Sequence, residues 1–395
     1  MKKLMVLGAG FPQAQLLQAA KELGYQTVVC SIPGDYPGFA LADEISYADI
    51  SDPEAVLEAA RKFGVNGVAT CCLDTGVRAL GYTCEKLGFP GLSEKAAILS
   101  ADKWEMKNAF MDAGVNTAKC YRITDEGALE ASLKKLTLPV VVKAVDLQGS
   151  KGVYICRTAQ AARESFSLAM SLTRQDFCIV EEFIEGGELG AQAFVYQGEI
   201  VFVLPHGANT YMSKTAVPIG HYVPIDAPES VIDAAVAESE KAIRALGLDN
   251  CAVNIDLIEK DGKVYVIELT GRAGATCLPE LVSIYYGLDY YKMIAAMAMG
   301  DDPRELFNAR EGKNVANASR MLLCEQSGVI KSIENPVVMD EHIYDLSLIV
   351  QEGDSVNKFT NAKDRVGQVI VSGESLDDCL SRIDEILAQI KIEVE

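Results

Sequence analysis

The sequence predicts a multi-domain protein that joins an α/β part to a larger α+β part. Its 395 residues exceed what one hydrophobic core usually holds. Strands alternate with helices over the first hundred residues, whereas hairpins set between helices follow later. Apolar residues make up 49% of the chain and charged residues 23%, a composition typical of globular domains rather than of disordered chains.

The first predicted domain covers residues 1–98. Short apolar strands are expected at 2–7, 25–32 and 65–71, and the apolar spacing within Pro53–Phe63 indicates a helix. Strands that alternate with helices of this length form a parallel sheet with crossover helices. The sequence therefore predicts an α/β domain here.

The second and largest predicted domain covers residues 99–305, and the resemblance given below implies that it consists of two subdomains with a hinge near 183–188. It is expected to contain a helix at 103–113, strands at 139–145, 153–157 and 177–182, and hairpins at Gln197-Gly198 and Asp261-Gly262. Residues 306–395 predict a small α+β domain of short strands that closes with a helix at 376–390.

The chain is strongly acidic, with 36 Lys and Arg against 56 Asp and Glu and a formal charge of −20. Nucleic acids and anionic lipid surfaces repel such a protein, so neither is an expected partner. Apolar runs fall far short of the roughly 20 residues that span a bilayer, and the N-terminus resembles no signal peptide. Eleven cysteines without CxxC pairs indicate reduced thiols. We therefore expect a cytoplasmic protein.

The three histidines lie far apart in the sequence, which disfavours a zinc site or a catalytic triad built on them. The chemistry must then come from carboxylates, Lys, Arg or a bound cofactor. Gly8-Ala9-Gly10 follows the first strand, but Gln13 stands where a dinucleotide fingerprint has its third glycine. A tight strand-to-helix turn is the favoured interpretation, and nicotinamide-dinucleotide binding by an oxidoreductase is the weaker alternative.

Two lysines occur where an anion would explain them. Lys143 stands inside an otherwise apolar strand, where an unpaired ammonium is costly to bury. The loop from Gly149 through Ser150 and Lys151 offers backbone N–H groups and a hydroxyl that suit phosphate oxygens. Lys103 is predicted in the first turn of a helix capped by Ser100, where the helix dipole disfavours a cation. A hairpin turn and a solvated surface lysine are the simpler alternatives.

The segment 177–188 reads as a strand that ends in a hinge. The backbone at the strand end could meet an adenine edge, and a carboxylate a few residues on, such as Glu188, could accept hydrogen bonds from ribose hydroxyls. A plain strand followed by a turn is the alternative.

The hairpin at Asp261-Gly262 carries the strongest candidate site. A two-residue loop would set Ile255 opposite Glu268, so we expect a three-residue loop with a glycine bulge that pairs Asp256 with Glu268. That register turns Tyr265, Ile267 and Leu269 toward the apolar face. The same register sets Thr270 opposite Asn254 on the polar face.

Two carboxylates held this close repel each other unless a cation lies between them, and oxygen ligands of this kind suit Mg²⁺. Arg272 follows and could stabilise a developing negative charge. A half-exposed hairpin with a polar outer face is the alternative.

The chain resembles the ATP-grasp superfamily over its whole length. The resemblance rests on the order of five features along the sequence: Lys103, Lys143 with its glycine loop, the 181–188 hinge, Asp256 and the 268–272 segment. The segments 218–224 and 367–371 resemble the carboxylate–amine ligases of the L-amino-acid ligase group. The resemblance implies an ATP-grasp fold with an N-terminal Rossmann-like pre-ATP-grasp domain and a small C-terminal α+β domain. It also implies ATP and Mg²⁺ as cofactors, with Mn²⁺ as an alternative metal.

The resemblance further implies a role for each candidate residue. It makes Lys103 and Lys143 phosphate contacts, with a lid over the triphosphate that begins at Gly149 and Ser150 beside Lys151. It gives the nucleotide contacts as Glu181 and Phe183 for adenine and Glu188 for ribose, and the metal ligands as Asp256, Glu268 and Thr270. It makes Arg272 the acyl-phosphate contact and places His221 in a loop near substrate and phosphate. The superfamily usually carries Asn where Thr270 stands, and Glu or Gln in several relatives where Asp256 stands.

The implied reaction activates a carboxylate as an acyl phosphate and joins it to an amine, with release of ADP and phosphate. The loops at 206–222 and 276–286 are expected to shape the substrate pocket, and a homodimer is expected by analogy. Two alternatives stay open: a bicarbonate-using carboxylase or carbamoyl-phosphate-type enzyme, and a non-catalytic nucleotide-binding sensor.

Overall fold

The computed structural model describes residues 1–147, 152–212, 216–310 and 314–395. The predicted lid residues Gly149, Ser150 and Lys151 therefore lie outside the described residues. Among the described residues, no helix combines the length and the apolar character needed to cross a bilayer.

The N-terminal part is a parallel four-stranded sheet with helices on its faces. Its elements are β1 (Lys3–Leu7), α1 (Phe11–Glu22), β2 (Gln26–Ser31), α2 (Gly38–Leu41), β3 (Glu44–Tyr47), α3 (Pro53–Phe63), β4 (Gly67–Ala69) and α4 (Val77–Leu87). The strand order is β3-β2-β1-β4, which confirms the predicted α/β class. The sequence prediction missed β3, because this short edge strand is half-exposed and lacks a continuous apolar run.

A pair of helices and a small antiparallel sheet follow. Their elements are α5 (Glu94–Ala101), α6 (Lys103–Asp112), β5 (Cys120–Ile123), α7 (Glu126–Leu133), β6 (Val140–Lys143), β7 (Val153–Cys156), α8 (Ala159–Leu172) and β8 (Cys178–Glu182). The strand order is β5-β8-β6-β7, and α7 and α8 close a separate apolar core on one face.

The prediction that Ser100 caps α6 is wrong. Ser100 lies buried in α5, and its hydroxyl donates to Ala97 O. The side chain of Asp102 caps α6 by accepting hydrogen bonds from the N–H groups of Trp104 and Glu105.

The remainder of the chain contains an eight-stranded sheet, a three-stranded sheet and several helices. Its elements are β9 (Gly187–Tyr196), β10 (Glu199–Met212), β11 (Ala216–Val223), α9 (Glu229–Leu246), β12 (Cys251–Lys260), β13 (Lys263–Thr270), α10 (Leu278–Tyr286), α11 (Tyr290–Ala298), α12 (Pro303–Asn308), β14 (Ala316–Leu322), β15 (Gly328–Glu334), β16 (Ile343–Leu348), β17 (Ser355–Val356), β18 (Gly367–Gly373), α13 (Leu376–Gln389) and β19 (Lys391–Val394).

The order of the long sheet is β13-β12-β9-β10-β11-β14-β18-β16, with β15, β17 and β19 in a separate three-stranded sheet. The long sheet therefore continues from the predicted second domain into the predicted third, and the domain division stays a prediction. The small sheet formed by β5, β6, β7 and β8 faces the β9–β13 side of the long sheet, and the cavity described next lies between them.

Candidate active site

A cavity of about 250 Å³ lies between the small sheet and the first strands of the long sheet. It brings together six of the residues predicted from the sequence: Lys103, Lys143, Glu188, His221, Asp256 and Glu268. Apolar side chains from both sheets complete its wall, among them Leu257, Ile258 and Ile267. Glu181, Phe183, Thr270 and Arg272 do not line this cavity.

Lys103 begins helix α6 and points its ammonium group at the carboxylates of the long sheet. Its Nζ donates to Leu147 O at 3.0 Å and lies 3.5 Å from Glu268 Oε2. The cap at Asp102 fixes this first helical turn, so the position of the cation follows from local sequence. The predicted place of Lys103 in a first helical turn is confirmed.

Lys143 is buried in β6 and forms an ion pair with Glu181 on the neighbouring strand β8. Lys107, which is 2% exposed, lies 3.3 Å from the other carboxylate oxygen of Glu181. Burial alone would raise the pKa of Glu181, but the two ammonium groups lower it to about 2. Burial likewise lowers the pKa of Lys143, and Glu181 more than compensates, so both groups stay charged.

Lys107 was not predicted, although its spacing of four residues from Lys103 places both on one face of α6. The side chain of Glu181 thus holds two lysines, while its predicted adenine contact would use the backbone.

The hinge after β8 presents its backbone mainly to neighbouring strands. The N–H groups of Glu182 and Phe183 donate to Lys119 O at 3.0 Å and to Pro139 O at 3.2 Å. Phe183 lines a different cavity, shared with Leu138 and Tyr265. The adenine contact of Phe183 stays a prediction.

The hairpin between β12 and β13 has a different turn from the one predicted. Asp261 and Gly262 have φ of 54° and 77°, and Lys260 pairs with Lys263, so the loop contains two residues. The predicted three-residue loop is therefore wrong. An irregularity after Asp256 leaves Ile267 without a partner, and this bulge shifts the register by one residue.

The bulge restores the predicted pairs. Asp256 lies opposite Glu268, and Asn254 lies opposite Thr270. Of the three residues predicted on the apolar face of β13, Leu269 is buried, whereas Tyr265 and Ile267 are only half-buried. Val264 and Val266 are buried in their place.

Asp256 and Glu268 face each other with different electrostatic surroundings. Enclosure and the charge of Glu268 raise the pKa of Asp256, although the Asn254 amide donates to it at 3.1 Å. Lys103 lowers the pKa of Glu268, with Lys143 contributing in the same direction. The repulsion felt by Asp256 is relieved by any cation placed between the two carboxylates.

The described residues contain no group of three or more His, Cys, Asp and Glu side chains that could hold a metal ion by themselves. A metal at the Asp256–Glu268 pair must therefore complete its shell with water and ligand oxygens. Mg²⁺ is commonly bound in this way, through one or two carboxylates plus substrate phosphates. The donor set thus fits Mg²⁺ and does not fit a site built wholly from protein groups.

Arg272 forms an ion pair with Asp74, which lies in a short 3₁₀ turn of the N-terminal part (Asp74–Gly76). Its Nη1 also donates to Ala273 O at 3.0 Å. Burial opposes the charge, but Asp74 raises the pKa of Arg272, so the guanidinium stays protonated. Asp74 was not predicted, because 198 residues separate it from Arg272 in the sequence.

His221 lies in strand β11 and not in a loop, so that expectation is wrong. It is 7% exposed, and its ring packs against His206 of β10 with centroids 4.9 Å apart. Two of the three histidines thus meet in space, a contact that sequence separation gave no reason to expect.

A second cavity of about 320 Å³ lies among α1, α10 and strands β16 and β18. Its wall includes Glu280, Ser283, Asp345 and Gln368. The expected pocket segment 276–286 contributes to this second cavity, whereas 206–222 contributes to the first.

Two family models match parts of the chain. The model described as phosphoribosylglycinamide synthetase, ATP-grasp (A) domain, matches residues 101–212, and the model described as L-amino acid ligase C-terminal domain 2 matches residues 320–395. Alanine–anticapsin ligase of Bacillus subtilis strain 168 is 25% identical over 265 residues, which are 61% of this chain and 55% of that protein. The chain thus spans about half the length of such curated relatives.

Solved structures match over the full length. A crystal structure of phosphoribosylglycinamide synthetase from Anaerococcus prevotii is 48% identical, covers 100% of both chains and has a TM-score of 0.88. A crystal structure of L-amino acid ligase from Bacillus licheniformis is 19% identical, covers 100% of this chain and 99% of its own, and has a TM-score of 0.84, a likeness of fold. The predicted fold class is confirmed, and the chain belongs to the ATP-grasp superfamily, with resemblance to its carboxylate–amine ligases of the L-amino-acid ligase group.

Proposed function

We propose that the protein is an ATP-dependent ligase that joins a carboxylate to an amine, with release of ADP and phosphate. One observation carries the proposal: two paired carboxylates, Asp256 and Glu268, face two ammonium groups, Lys103 and Lys143, across one cavity. This arrangement supplies both signs of charge that a metal-bound triphosphate needs.

In the proposed reaction, Lys103 and Lys143 bind the phosphate oxygens of ATP. Asp256 and Glu268 would hold Mg²⁺, which would neutralise phosphate charge; the contribution of the Thr270 hydroxyl rests on the resemblance alone. Glu188 accepts hydrogen bonds from the ribose, and the backbone near Glu181 and Phe183 meets the adenine. The roles of Gly149, Ser150 and Lys151 in covering the phosphates rest on the resemblance alone, as does the phosphate contact of His221.

The carboxylate oxygen attacks the γ-phosphorus and ADP leaves, which produces an acyl phosphate. Arg272 stabilises the negative charge on the transferred phosphate, held in place by Asp74. The bound ammonium group releases a proton to solvent, and the lone pair of the neutral amine then attacks the acyl carbon. The C–N bond forms, the bond from the acyl carbon to the phosphate oxygen breaks, and phosphate leaves with one proton from the nitrogen. Exclusion of water protects the acyl phosphate from hydrolysis.

The second cavity is a suitable place for the amine. Cys72 contacts the segment that follows Arg272, because its N–H donates to Ala273 O at 3.0 Å. Carboxylates such as Glu280 and Asp345 in the wall attract a protonated amine. We therefore assign the amine to this cavity.

Two substrate pairs follow from the relatives. The name of one relative, phosphoribosylamine–glycine ligase, favours glycine and phosphoribosylamine. The family model described as L-amino acid ligase and the relative named alanine–anticapsin ligase favour amino acids, with alanine among them. The acidic wall of the second cavity disfavours a phosphorylated amine, so we expect the amino-acid pair.

The test is a screen of amino-acid pairs, and of glycine with phosphoribosylamine, in the presence of Mg-ATP. Phosphate release, ADP release and product mass are measured for each pair. The proposal expects equal amounts of ADP, phosphate and a condensed product for at least one pair. ADP release that needs bicarbonate but no amine would support the carboxylase alternative, and tight ATP binding without turnover would support the sensor.

A further inference from the structure

His206 lines the first cavity, and one nitrogen of its buried ring has no hydrogen-bond partner among the described residues. The residue is 4% exposed and lines the cavity from strand β10. Its Nε2 has no hydrogen-bond partner among the described residues. A buried polar atom without a partner is costly, so this nitrogen points to a ligand.

The surroundings of His206 determine which nitrogen carries the proton. Its Nδ1 lies 3.4 Å from Gly207 O, and the Nδ1 of His221 lies 3.3 Å from the same oxygen. A carbonyl oxygen only accepts hydrogen bonds, so these contacts favour the tautomer in which Nδ1 carries the proton. Burial also lowers the pKa of both imidazoles, which keeps them neutral. His206 Nε2 therefore carries a lone pair and can only accept a hydrogen bond.

A missing side chain leaves room for this nitrogen. Gly190 of β9 lies between Asp256 on β12 and His206 on β10, as the direct partner of both. A Cβ atom on Gly190 would lie 2.7 Å from His206 Nε2, so the ring occupies the space above the glycine. Glu188 lies two residues earlier on the same face of β9. Its carboxylate and His206 Nε2 thus form neighbouring acceptors on the cavity floor.

We propose that His206 Nε2 accepts a hydrogen bond from a ribose hydroxyl of the bound nucleotide, beside Glu188. A phosphate oxygen has no proton to donate at neutral pH and would be repelled by the lone pair. The Mg²⁺ proposed for this cavity takes oxygen ligands, so the imidazole nitrogen is not assigned to it. The inference rests on the proposed function only in that the nucleotide binds in this cavity.

The test is calorimetric binding of Mg-ADP, 2′-deoxy-ADP and 3′-deoxy-ADP to the wild type, to His206→Phe and to His342→Phe. Phenylalanine keeps the ring but removes the acceptor, and His342 is a histidine outside the cavity that serves as the matched control. The wild type and the control are expected to bind at least one deoxy analogue about 10-fold more weakly than ADP. His206→Phe is expected to bind ADP only as well as that analogue, with no further loss on removing the hydroxyl.

Equal discrimination against the deoxy analogues in His206→Phe and in the wild type would overturn the inference. So would equal binding of all three nucleotides by the wild type, a result that needs no variant. If His206→Phe does not fold, His206→Gln is used, which keeps an acceptor and is expected to retain part of the discrimination. Failure of ADP to bind the wild type at all would contradict the proposed function itself.

Discussion

Asp256 and Glu268 lie directly opposite each other only because Ile267, one residue before Glu268, is bulged out of the β12–β13 ladder. The two-residue turn at Asp261-Gly262 would by itself set Ile255 opposite Glu268. The bulge turns Glu268 to the face of Asp256 and leaves Ile267 at the cavity wall. A single extra residue thus places both carboxylates on one face, beside Lys103.

Replacing Glu268 with Gln is expected to reduce substrate-dependent ADP release at least 100-fold. The amide keeps the shape but removes the charge that holds the metal opposite Asp256. Steady-state ADP release at saturating Mg-ATP measures the effect. Glu334→Gln, an exposed substitution on β15, is the matched control and is expected to keep wild-type turnover. Unchanged turnover in Glu268→Gln would defeat the metal assignment.

Replacing Arg272 with Lys is expected to lower kcat at least 100-fold with a smaller change in KM for ATP. Lysine cannot reproduce the forked guanidinium contacts that stabilise a transferring phosphate. Asp74→Asn is expected to lower kcat about 10-fold, with partial recovery in Asp74→Glu, because Asp74 orients the guanidinium. Initial rates over a range of ATP concentrations give both constants.

Arg244→Lys, on an exposed surface of α9, is the control for this series and is expected to behave as the wild type. A change confined to KM in Arg272→Lys would assign the residue to ground-state binding rather than to the phosphoryl-transfer step.

Replacing Glu181 with Gln is expected to lower the free energy of unfolding by about 3–5 kcal/mol, since Lys107 and Lys143 are left buried without a counter-charge. Urea denaturation at pH 7 measures the loss. Glu240→Gln, which removes a surface ion pair with Arg244, is expected to change stability by less than about 1 kcal/mol.

The same pair of proteins also gives a pH test. The pKa of Glu181 is lowered from 4.5 to about 2 on folding, so its contribution is complete above pH 4.5 and is lost as the pH falls toward 2. The stability difference between the wild type and Glu181→Gln is therefore expected to shrink over that range. A constant difference would contradict the buried ion pairs.

Stability is also expected to fall on mild acidification because of His221. Burial lowers the pKa of His221 from 6.5 to about 4. Between these two pH values the imidazole is therefore protonated in the unfolded chain and neutral in the folded protein. The contribution is present above pH 6.5 and is lost as the pH falls to about 4, a change of up to about 3 kcal/mol.

His221→Phe is expected to have a flatter dependence of unfolding free energy on pH between 6.5 and 4 than the wild type, measured by urea denaturation. His342→Phe should follow the wild type, since that side chain is partly solvent-exposed. Parallel curves for His221→Phe and the wild type would show that the buried imidazole does not control acid stability.

Local sequence patterns determined the elements on which the site is built. Alternation of strands and helices predicted the N-terminal sheet, and the Pro53–Phe63 helix has the bounds expected from its apolar spacing. The Asp-Gly pair predicted a hairpin at its correct position. Lys143 in an apolar strand predicted either a sheet-edge lysine or a nearby anion, for which a phosphate was favoured, and the structure places the carboxylate of Glu181 beside it. These features depend on neighbours close in the chain, so a single sequence contains them.

Only the tertiary structure decided which distant groups meet. The contacts of Arg272 with Asp74 and of His206 with His221, and the burial of Glu181 between two lysines, each join separate elements. The bulge at Ile267 also sets the register between β12 and β13, which the hairpin turn alone would have placed one residue away. The sequence by itself therefore determined the fold class and most charged residues of the site. Packing between elements decided which partners these residues contact, because such contacts depend on strand register and on how the domains pack together rather than on local periodicity.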